Sequence, residues 1–227
     1  AWLQLAMAMP RGDTSESKRK DVMASLTQIA NKGASRLIVG VDEAGRGPLA
    51  GPVVAAAVVL CKPRPAGLDD SKKLSQARRE RAADAVHQHA LAVGVGIVSP
   101  KDIDQMGIGR AALAAMLRAV GQLPFEPGHL LLDYIYVREC PYTYDTIVRG
   151  DSRSYSIAAA SNVAKVTRDR LMVEAEETYP GYNFARHKGY PTKVHMAALE
   201  EHGALEIHRK SFRPVQNALK RAALERS

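Results

Sequence analysis

Two adjacent carboxylates, Asp42 and Glu43, stand at the end of a strand-like run and precede a glycine-rich turn. Asp133 and Asp151 end two further strand-like runs. Oxygen-only ligands of this kind suit Mg²⁺ or Mn²⁺. Several carboxylates together can hold two such ions for in-line displacement at phosphorus. The pattern therefore indicates metal-assisted phosphoryl chemistry.

Each carboxylate taken alone is more readily explained as a helix cap or as the partner of an arginine, but four at the strand ends of one small sheet favour a shared site. Adjacent strand residues point to opposite faces. Asp42 and Glu43 can therefore serve one site only if the backbone bends there, and Gly45 and Gly47 predict that bend. No histidine or cysteine spacing predicts a zinc site.

The elements that must position these groups alternate between strands and helices. Strands are predicted at 37–41, 52–60, 91–98, 130–136 and 146–148, and helices at 75–89, 107–121 and 154–178, with two shorter helices in 180–227. This order predicts an α/β protein built on one central sheet. Small side chains at the start of the longest helix predict close packing against that sheet.

The charge is unevenly distributed along the 227 residues, which carry 32 Lys plus Arg and 24 Asp plus Glu for a net charge of +8. Residues 37–180 hold 17 basic and 17 acidic side chains, whereas residues 181–227 hold 9 and 4. A basic C-terminal part beside a neutral body predicts a polyanion-binding surface. Solubility alone is the other reading.

Several protein classes are excluded by composition. No run approaches 18 apolar residues, so a membrane span is not expected. Two cysteines, Cys61 and Cys140, are too few for a disulfide framework and suggest a reducing compartment. The apolar start lacks the basic region of a signal peptide. We expect a cytoplasmic protein in which residues 1–36 form a poorly ordered leader.

Cations alternate with aromatic residues and glycine in two C-terminal segments, 184–190 (FARHKGY) and 208–213 (HRKSFR). Phosphate contacts need such cations, and stacking on sugars or bases needs such rings. The two segments predict that this part of the chain meets nucleic acid.

Together these blocks resemble the ribonuclease HII family, the bacterial type 2 ribonucleases H. The resemblance is strongest in the segment VDEAGRGPLAGPV and continues, in the family's order, across most of residues 37–217. Its blocks are residues 41–53, 70–74, 150–151, 156–161, 164–169, 187–190 and 208–212.

The resemblance implies a ribonuclease H-like fold, with a mixed five-stranded sheet flanked by helices and a C-terminal helical extension. It implies a catalytic core at 37–180 and a basic nucleic-acid-binding extension at 181–227. The implied activity is cleavage 5′ of ribonucleotides embedded in duplex DNA, and of the RNA strand of RNA/DNA hybrids. The products would carry 3′-hydroxyl and 5′-phosphate ends, which fits removal of misincorporated ribonucleotides and RNA primers.

The resemblance also assigns roles to single residues. Asp42, Glu43, Asp133 and Asp151 match the family's catalytic, metal-binding carboxylates. The loop Gly45, Arg46 and Gly47 matches the segment that senses the ribose 2′-hydroxyl, and Tyr190 matches the tyrosine that stacks on the neighbouring sugar. We expect the phosphate contacts from Arg46, Lys72 and Lys188.

Four further residues are not assigned a catalytic role. Asp169 lies one helical turn after Lys165, so it is expected to pair with a cation rather than to bind metal. Three residues depart from the family pattern: Tyr134 stands where glycine is usual, Asn162 where a branched apolar residue is usual, and Pro191 where glycine follows the tyrosine. We expect Tyr134 to narrow the site, Asn162 to impose a packing cost, and Pro191 to stiffen the loop that positions the tyrosine before it.

Two competing functions are weighed against the ribonuclease. A DNA-directed nuclease such as a junction resolvase would have no use for the 2′-hydroxyl loop and Tyr190. A binding module with an inactive site would gain nothing from carboxylates that face phosphate. A monomer is expected, whereas the preferred metal and any sliding-clamp contact are left open by the sequence.

Overall fold

The computed structural model describes residues 37–61, 74–133 and 140–224. Within these ranges the strands are β1 (Ile38–Ala44), β2 (Val53–Leu60), β3 (Ala90–Val98), β4 (His129–Asp133) and β5 (Tyr144–Ile147). The α-helices are α1 (Gln76–His89), α2 (Pro100–Met106), α3 (Ile108–Val120), α4 (Tyr155–Thr178), α5 (Phe184–His187), α6 (Lys193–His202) and α7 (Arg213–Leu224). A 3₁₀ turn covers Gly150–Ser152.

The five strands form one mixed sheet in the order β3-β2-β1-β4-β5. β2 pairs antiparallel with β1 and β3, while β4 runs parallel to both β1 and β5. Helices cover the sheet, and α5, α6 and α7 follow it at the C-terminal end. The predicted mixed five-stranded sheet flanked by helices, with a C-terminal helical extension, is confirmed.

Both faces of the inner strand β2 are covered, which explains its unbroken run of valine and alanine. Ala55 and Ala57 belong to the core on the α3 side of the sheet. Ala56 and Val58 pack on the opposite face with residues of α1 and α4. At β2 the sheet is therefore a buried middle layer between helices.

Helix α4 lies unusually close to β1, because Gly40 has no side chain. A Cβ at Gly40 would stand 2.1 Å from the carbonyl carbon of Ser156. The small-residue run at the start of α4 contributes to the same close packing, as predicted. Asn162 is buried further along α4, and its Nδ2 donates to Ala158 O at 2.8 Å. This bond offsets part of the expected packing cost.

The C-terminal extension is joined to the sheet layer through α2, a helix that sequence periodicity did not predict. The Asp104 carboxylate of α2 accepts bonds from the backbone N–H groups of Lys210 and Ser211, at 2.9 and 2.8 Å, and from the Ser211 hydroxyl at 2.6 Å. A Ser99-Pro100 pair opens α2, and Ser99 Oγ accepts from Asp102 N at 3.1 Å. A serine cap followed by proline was the available signal.

Some sequence expectations fall on residues that the structure does not describe. These are the leader 1–36, Lys72 with its neighbours 70–73, Tyr134, and the end of the predicted strand 130–136. Among the described residues, no helix combines the length and apolar character needed to cross a membrane.

Candidate active site

The ends of β1 and β4 bring two of the predicted carboxylates side by side. Val41 pairs with Leu132 in the parallel ladder, so the next residues along the two strands, Asp42 and Asp133, are neighbours in the sheet. Asp42 is buried, and Gly150 N donates to Asp133 Oδ1 at 2.8 Å. The turn that follows β5 is thereby attached to the same sheet edge.

Glu43 adjoins this pair from the next position on β1. Its N–H donates to Asp42 Oδ1 at 2.8 Å, and Ser161 on α4 also hydrogen-bonds the Asp42 carboxylate. Glu43 Oε1 accepts from Arg46 Nη1 at 3.3 Å. Its second oxygen, Oε2, is buried without a hydrogen-bond partner among the described residues. One carboxylate oxygen is therefore left for a ligand that supplies positive charge.

The bend between Asp42 and Glu43 that the glycines predicted is not found. β1 continues through Ala44, which pairs with Val54 of β2, so both carboxylates lie within the strand. The chain turns only at Gly45, where φ is +96°. The antiparallel ladder keeps β1 extended, and the two carboxylates still interact because they sit at its very end.

Burial and mutual repulsion act on the protonation of these groups. Burial raises the pKa of Asp42 well above its ordinary value, and the charges of Glu43 and Asp133 raise it further. Burial also raises the pKa of Glu43. The charge of Arg46 lowers this pKa, and the charge of Asp133 raises it. Three carboxylates that repel one another at neutral pH create a site where a cation is favoured.

The chemistry of this donor set fits a hard divalent cation. All donors are carboxylate oxygens, the kind that Mg²⁺ and Mn²⁺ prefer. Across ranges 37–61, 74–133 and 140–224, no three carboxylate, imidazole or thiol groups form a metal-binding cluster as they stand. The case for a cation therefore rests on the mutual repulsion and on the buried Glu43 Oε2 atom.

Asp151 lies in the 3₁₀ turn beyond β5 and is buried. Arg149, in the left-handed region with φ of 54°, turns the chain into it, and the next residue, Gly150, contacts Asp133. A Cβ at Gly150 would lie 2.5 Å from Ile157 Cδ1, so the turn packs tightly on α4. Asp151 therefore directly follows the residue whose N–H bonds Asp133.

The raised pKa values give a stability prediction for Asp42→Asn in chelating buffer. Between the ordinary and raised pKa, the folded protein holds a proton that the unfolded chain has lost, so stability falls as pH rises through this window. Asparagine removes the penalty. We expect the variant to be more stable than wild type at pH 8, with an advantage that shrinks towards pH 4. Urea unfolding at both pH values measures this, and a constant difference would contradict it.

The loop after β1 is held from beneath by two arginines that have no solvent exposure, Arg168 and Arg209. Arg209 donates to four carbonyl oxygens, those of Gly45 (2.6 Å), Arg46 (3.1 Å), Gly51 (2.9 Å) and Pro52 (3.1 Å). Burial lowers its pKa to about 9. The guanidinium thus fixes the loop backbone through carbonyl oxygens.

Arg168 of α4 joins the same loop to the segment before Tyr190. It donates to Pro52 O at 3.0 Å, Ala50 O at 3.1 Å and Lys188 O at 3.0 Å. A Cβ at Gly45 would lie 2.1 Å from Arg168 Nε, so only glycine fits above this guanidinium. Burial lowers the pKa of Arg168 to about 10.

Tyr190 lies against the glycine loop with its ring 40% exposed. A Cβ added at Gly47 would stand 3.7 Å from Tyr190 Cε1. Lys165 Nζ lies 5.7 Å from the ring centroid and Arg168 Cζ 5.9 Å. The structure therefore brings together the glycine loop and the tyrosine, which are more than 140 residues apart in the sequence.

Lys188 lies two residues before Tyr190 and is half-buried. Its Nζ donates to Ala185 O of the short helix α5. Burial lowers its pKa, and the nearby Lys165 and Arg168 lower it further, while Asp169 opposes them. Asp169 itself pairs with Lys165 at 2.7 Å, the ion pair that its spacing predicted.

The cations of the two aromatic-rich segments do not all face outwards as expected. Arg209, His187 and His208 are buried and bind backbone groups. A backbone carbonyl satisfies a buried guanidinium as well as a phosphate does, and the sequence pattern does not distinguish the two. Up to residue 224, where the described part of the extension ends, six cations are exposed, at Arg186, Lys193, Lys210, Arg213, Lys220 and Arg221.

Comparison with known proteins gives consistent matches over most of the chain. The sequence model described as ribonuclease HII matches residues 39–215. A protein of that name from Bacillus cytotoxicus is 50% identical over 200 residues, which cover 87% of this chain and 76% of its relative.

Two solved archaeal structures share the architecture. The ribonuclease H2 of Pyrococcus horikoshii OT3 superposes with a TM-score of 0.69 at 24% identity, over 81% of this chain and 97% of that one. The RNase HII of Archaeoglobus fulgidus, solved in complex with PCNA, gives 0.66 at 25% identity, over 80% and 96%.

Proposed function

The chain belongs to the ribonuclease HII family, as its sequence blocks predicted, and from this premise we propose its reaction in detail. It is a type 2 ribonuclease H, an endonuclease. We propose that it cuts on the 5′ side of a ribonucleotide embedded in duplex DNA, and also cuts the RNA strand of RNA/DNA hybrids. The ends left would be 3′-hydroxyl and 5′-phosphate, and the role would be removal of misincorporated ribonucleotides and RNA primers.

The observation that carries this proposal is the contact between the glycine loop and Tyr190 beside the carboxylate pair. The 2′-hydroxyl is the group that distinguishes RNA from DNA at a given site. Reading it requires polar backbone groups that can approach a sugar closely, together with an aromatic ring to hold that sugar. Gly47, which follows Glu43 closely along the chain, provides the backbone groups, and Tyr190 provides the ring from a distant part of the sequence.

The buried Arg209 orients the loop for this task. The carbonyls of Gly45 and Arg46 both point inwards to its guanidinium. In a planar trans peptide the N–H points opposite to the carbonyl. The N–H groups of Arg46 and Gly47 therefore point away from Arg209, towards the side where substrate would lie. These two donors are our candidates for binding the 2′-oxygen.

Asp42, Glu43, Asp133 and Asp151 are the proposed metal-holding and catalytic residues, since they supply the carboxylate oxygens at this sheet edge. The ribonuclease H family depends on divalent metal ions. Two bound ions, Mg²⁺ or Mn²⁺, would supply the positive charge that activates water and stabilises the leaving 3′ oxygen. The protein's own part is to keep these carboxylates close together despite their repulsion.

Nucleic acid would be bound by cations around this site. We propose phosphate contacts for Arg46, whose side chain is half-exposed, and for Lys188 and Lys72. Exposed cations of the extension would widen the contact. The proposed division is a core at 37–180 and a nucleic-acid-binding extension at 181–227. Monomeric state and cytoplasmic location are also proposals. A contact with a sliding clamp, like the PCNA in the complex of the A. fulgidus relative, is a proposal of the same kind.

We expect Tyr190→Ala to lower cleavage at a single ribonucleotide by about 10- to 100-fold, the scale of one lost aromatic stacking contact. Folding should change little, because the ring is 40% exposed. Tyr190→Phe keeps the ring and loses only the hydroxyl, so it should retain part of the lost rate. Initial rates and thermal midpoints on the same samples measure both effects. Full activity of Tyr190→Ala would remove the tyrosine from the mechanism.

The identity of the product ends tests the proposed cleavage chemistry. We expect a nick in a hybrid duplex to be resealed by a ligase that requires a 3′-hydroxyl and a 5′-phosphate. Products with a 2′,3′-cyclic phosphate would resist sealing and would contradict the proposal, since they arise when the 2′-hydroxyl attacks instead of water.

A further inference from the structure

Three histidines that the proposed reaction does not use form a buried cluster beneath Tyr190. His187 and His195 stack with ring centroids 4.5 Å apart, and His195 and His208 lie 5.3 Å apart. Phe184 packs against all three rings at 5.5–5.8 Å. His195 and His208 are at most 1% exposed. The cluster lies within the C-terminal extension, between α5, α6 and the segment before α7.

The hydrogen bonds of His208 and His195 form a chain whose direction the backbone fixes. Leu205 N donates to His208 Nδ1 at 2.9 Å, so His208 carries its proton on Nε2. His208 Nε2 therefore donates to His195 Nε2 at 3.1 Å. His195 must then carry its proton on Nδ1, which donates to the Tyr190 carbonyl oxygen at 3.0 Å.

The Tyr190 carbonyl receives a second bond from Thr192 N at 2.8 Å. Thr192 also caps α6, since its hydroxyl accepts from His195 N at 3.2 Å. On the other side of Tyr190, Gly189 N donates to His187 Nδ1 at 3.1 Å. The backbone on both sides of the tyrosine is therefore held by imidazole rings.

Other roles for these rings are unfavourable. Every ring nitrogen of His195 and His208 already takes part in this series of hydrogen bonds, and neither ring has access to solvent or substrate. Burial lowers the pKa of both to about 4, so both are neutral at physiological pH. A metal ligand or a general base would need a nitrogen lone pair that is available.

We propose that His195, with its tautomer fixed by His208, is a positioning residue for Tyr190. Its Nδ1–H sets the backbone carbonyl of Tyr190 and thereby keeps the ring against Gly47, where the ribose would be read. This inference rests on the proposed function of Tyr190, and it adds a residue that contacts neither substrate nor metal.

The test compares His195→Leu with His195→Asn. Leucine fills the space without a donor, whereas asparagine can offer an N–H close to the position of Nδ1. Tyr182→Phe is the matched control, because it removes a 2.6 Å bond to Gly203 O in the same aromatic cluster without contacting Tyr190. On a duplex with one ribonucleotide, we expect kcat/KM to fall about tenfold or more for His195→Leu, the effect of a misplaced reading group. His195→Asn should recover most of the rate, and Tyr182→Phe should cleave as wild type.

A double-mutant comparison separates positioning from a merely structural role. In a Tyr190→Ala background, His195→Leu should change kcat/KM by less than about twofold, because the ring it positions is absent. An equal loss in both backgrounds, or no loss in either, would overturn the proposal.

A spectroscopic measurement keeps the inference independent of the proposed reaction. In protein labelled with 3-fluorotyrosine, the ¹⁹F signal of Tyr190, assigned by Tyr190→Phe, should shift or broaden in His195→Leu and return in His195→Asn. An unchanged signal would overturn the positioning role even if the enzyme cleaves. Inactivity of the wild type would instead refute the proposed function.

Discussion

Asp42→Asn and Asp133→Asn should each lower ribonucleotide-directed cleavage by at least about 10³-fold, equivalent to about 4 kcal/mol of transition-state stabilisation. These two carboxylates are neighbours across β1 and β4, and both take part in the repulsion that favours a cation. Removing one charge lowers the attraction for divalent metal while the sheet edge stays intact. Single-turnover rates with saturating enzyme measure the loss.

Binding should respond in the opposite direction. Because each substitution removes a negative charge near phosphate, affinity for hybrid duplex should persist or increase, as measured by fluorescence anisotropy. Asp145→Asn is the matched control, since this carboxylate lies on β5 with its side chain 73% exposed and pairs with His129 rather than with the carboxylate site. The control should cleave as wild type. Undiminished turnover in Asp42→Asn or Asp133→Asn would contradict the assigned site.

Arg209→Met should be the most destabilising single substitution proposed. It removes the donor of the Gly45, Arg46 and Gly51 carbonyl oxygens, and each buried group left unsatisfied costs about 1–3 kcal/mol. Pro52 O keeps its bond from Arg168. The desolvation cost of the guanidinium, which lowers its pKa to about 9, is recovered and offsets part of the loss. We expect a net loss of at least about 3 kcal/mol in the free energy of urea unfolding.

Arg221→Met is the control for that loss. Arg221 is exposed and pairs with Glu200 at 2.8 Å, and such surface pairs contribute only about 0–1 kcal/mol. Arg209→Lys tests the geometry, because one ammonium group cannot reach four carbonyls and should rescue little. If the free energy of unfolding of Arg209→Met were within about 1 kcal/mol of the wild-type value, the loop would not depend on this guanidinium.

The carboxylate pair could be predicted from sequence because it depends on local rules. Asp42 and Asp133 each end an apolar run, and strand ends that run parallel meet at one edge of a sheet. The same locality explains why the Lys165–Asp169 pair was predicted, since helical spacing alone decides it. Predicting that these strands were neighbours required the family resemblance as well.

The roles of Arg168 and Arg209 could not be predicted, because they depend on contacts far along the chain. Arg209 binds carbonyls more than 150 residues away, and nothing in a basic, aromatic-rich segment indicates that its arginine turns inwards. The hydrogen-bond chain through His195 could not be predicted from the sequence for the same reason. Its direction depends on backbone donors that only the folded extension brings together.

The predicted position of the bend near the end of β1 was wrong for a different physical reason. Glycines at 45 and 47 permit a turn, but pairing of Ala44 with Val54 decides where the strand stops. Helix α2 was missed because seven residues hold too little periodicity to be recognised. Its serine–proline start was the stronger signal, and its Asp104 anchors the extension.

The proposed reaction requires this site to read one 2′-hydroxyl and to cut beside it. The most direct measurement uses a labelled DNA duplex with a single ribonucleotide, incubated with Mg²⁺ or Mn²⁺ and with chelator, beside an all-DNA duplex of the same sequence. We expect metal-dependent nicking just 5′ of the ribonucleotide and an intact all-DNA control. Cleavage of both duplexes, or of neither despite binding, would contradict the proposed reaction.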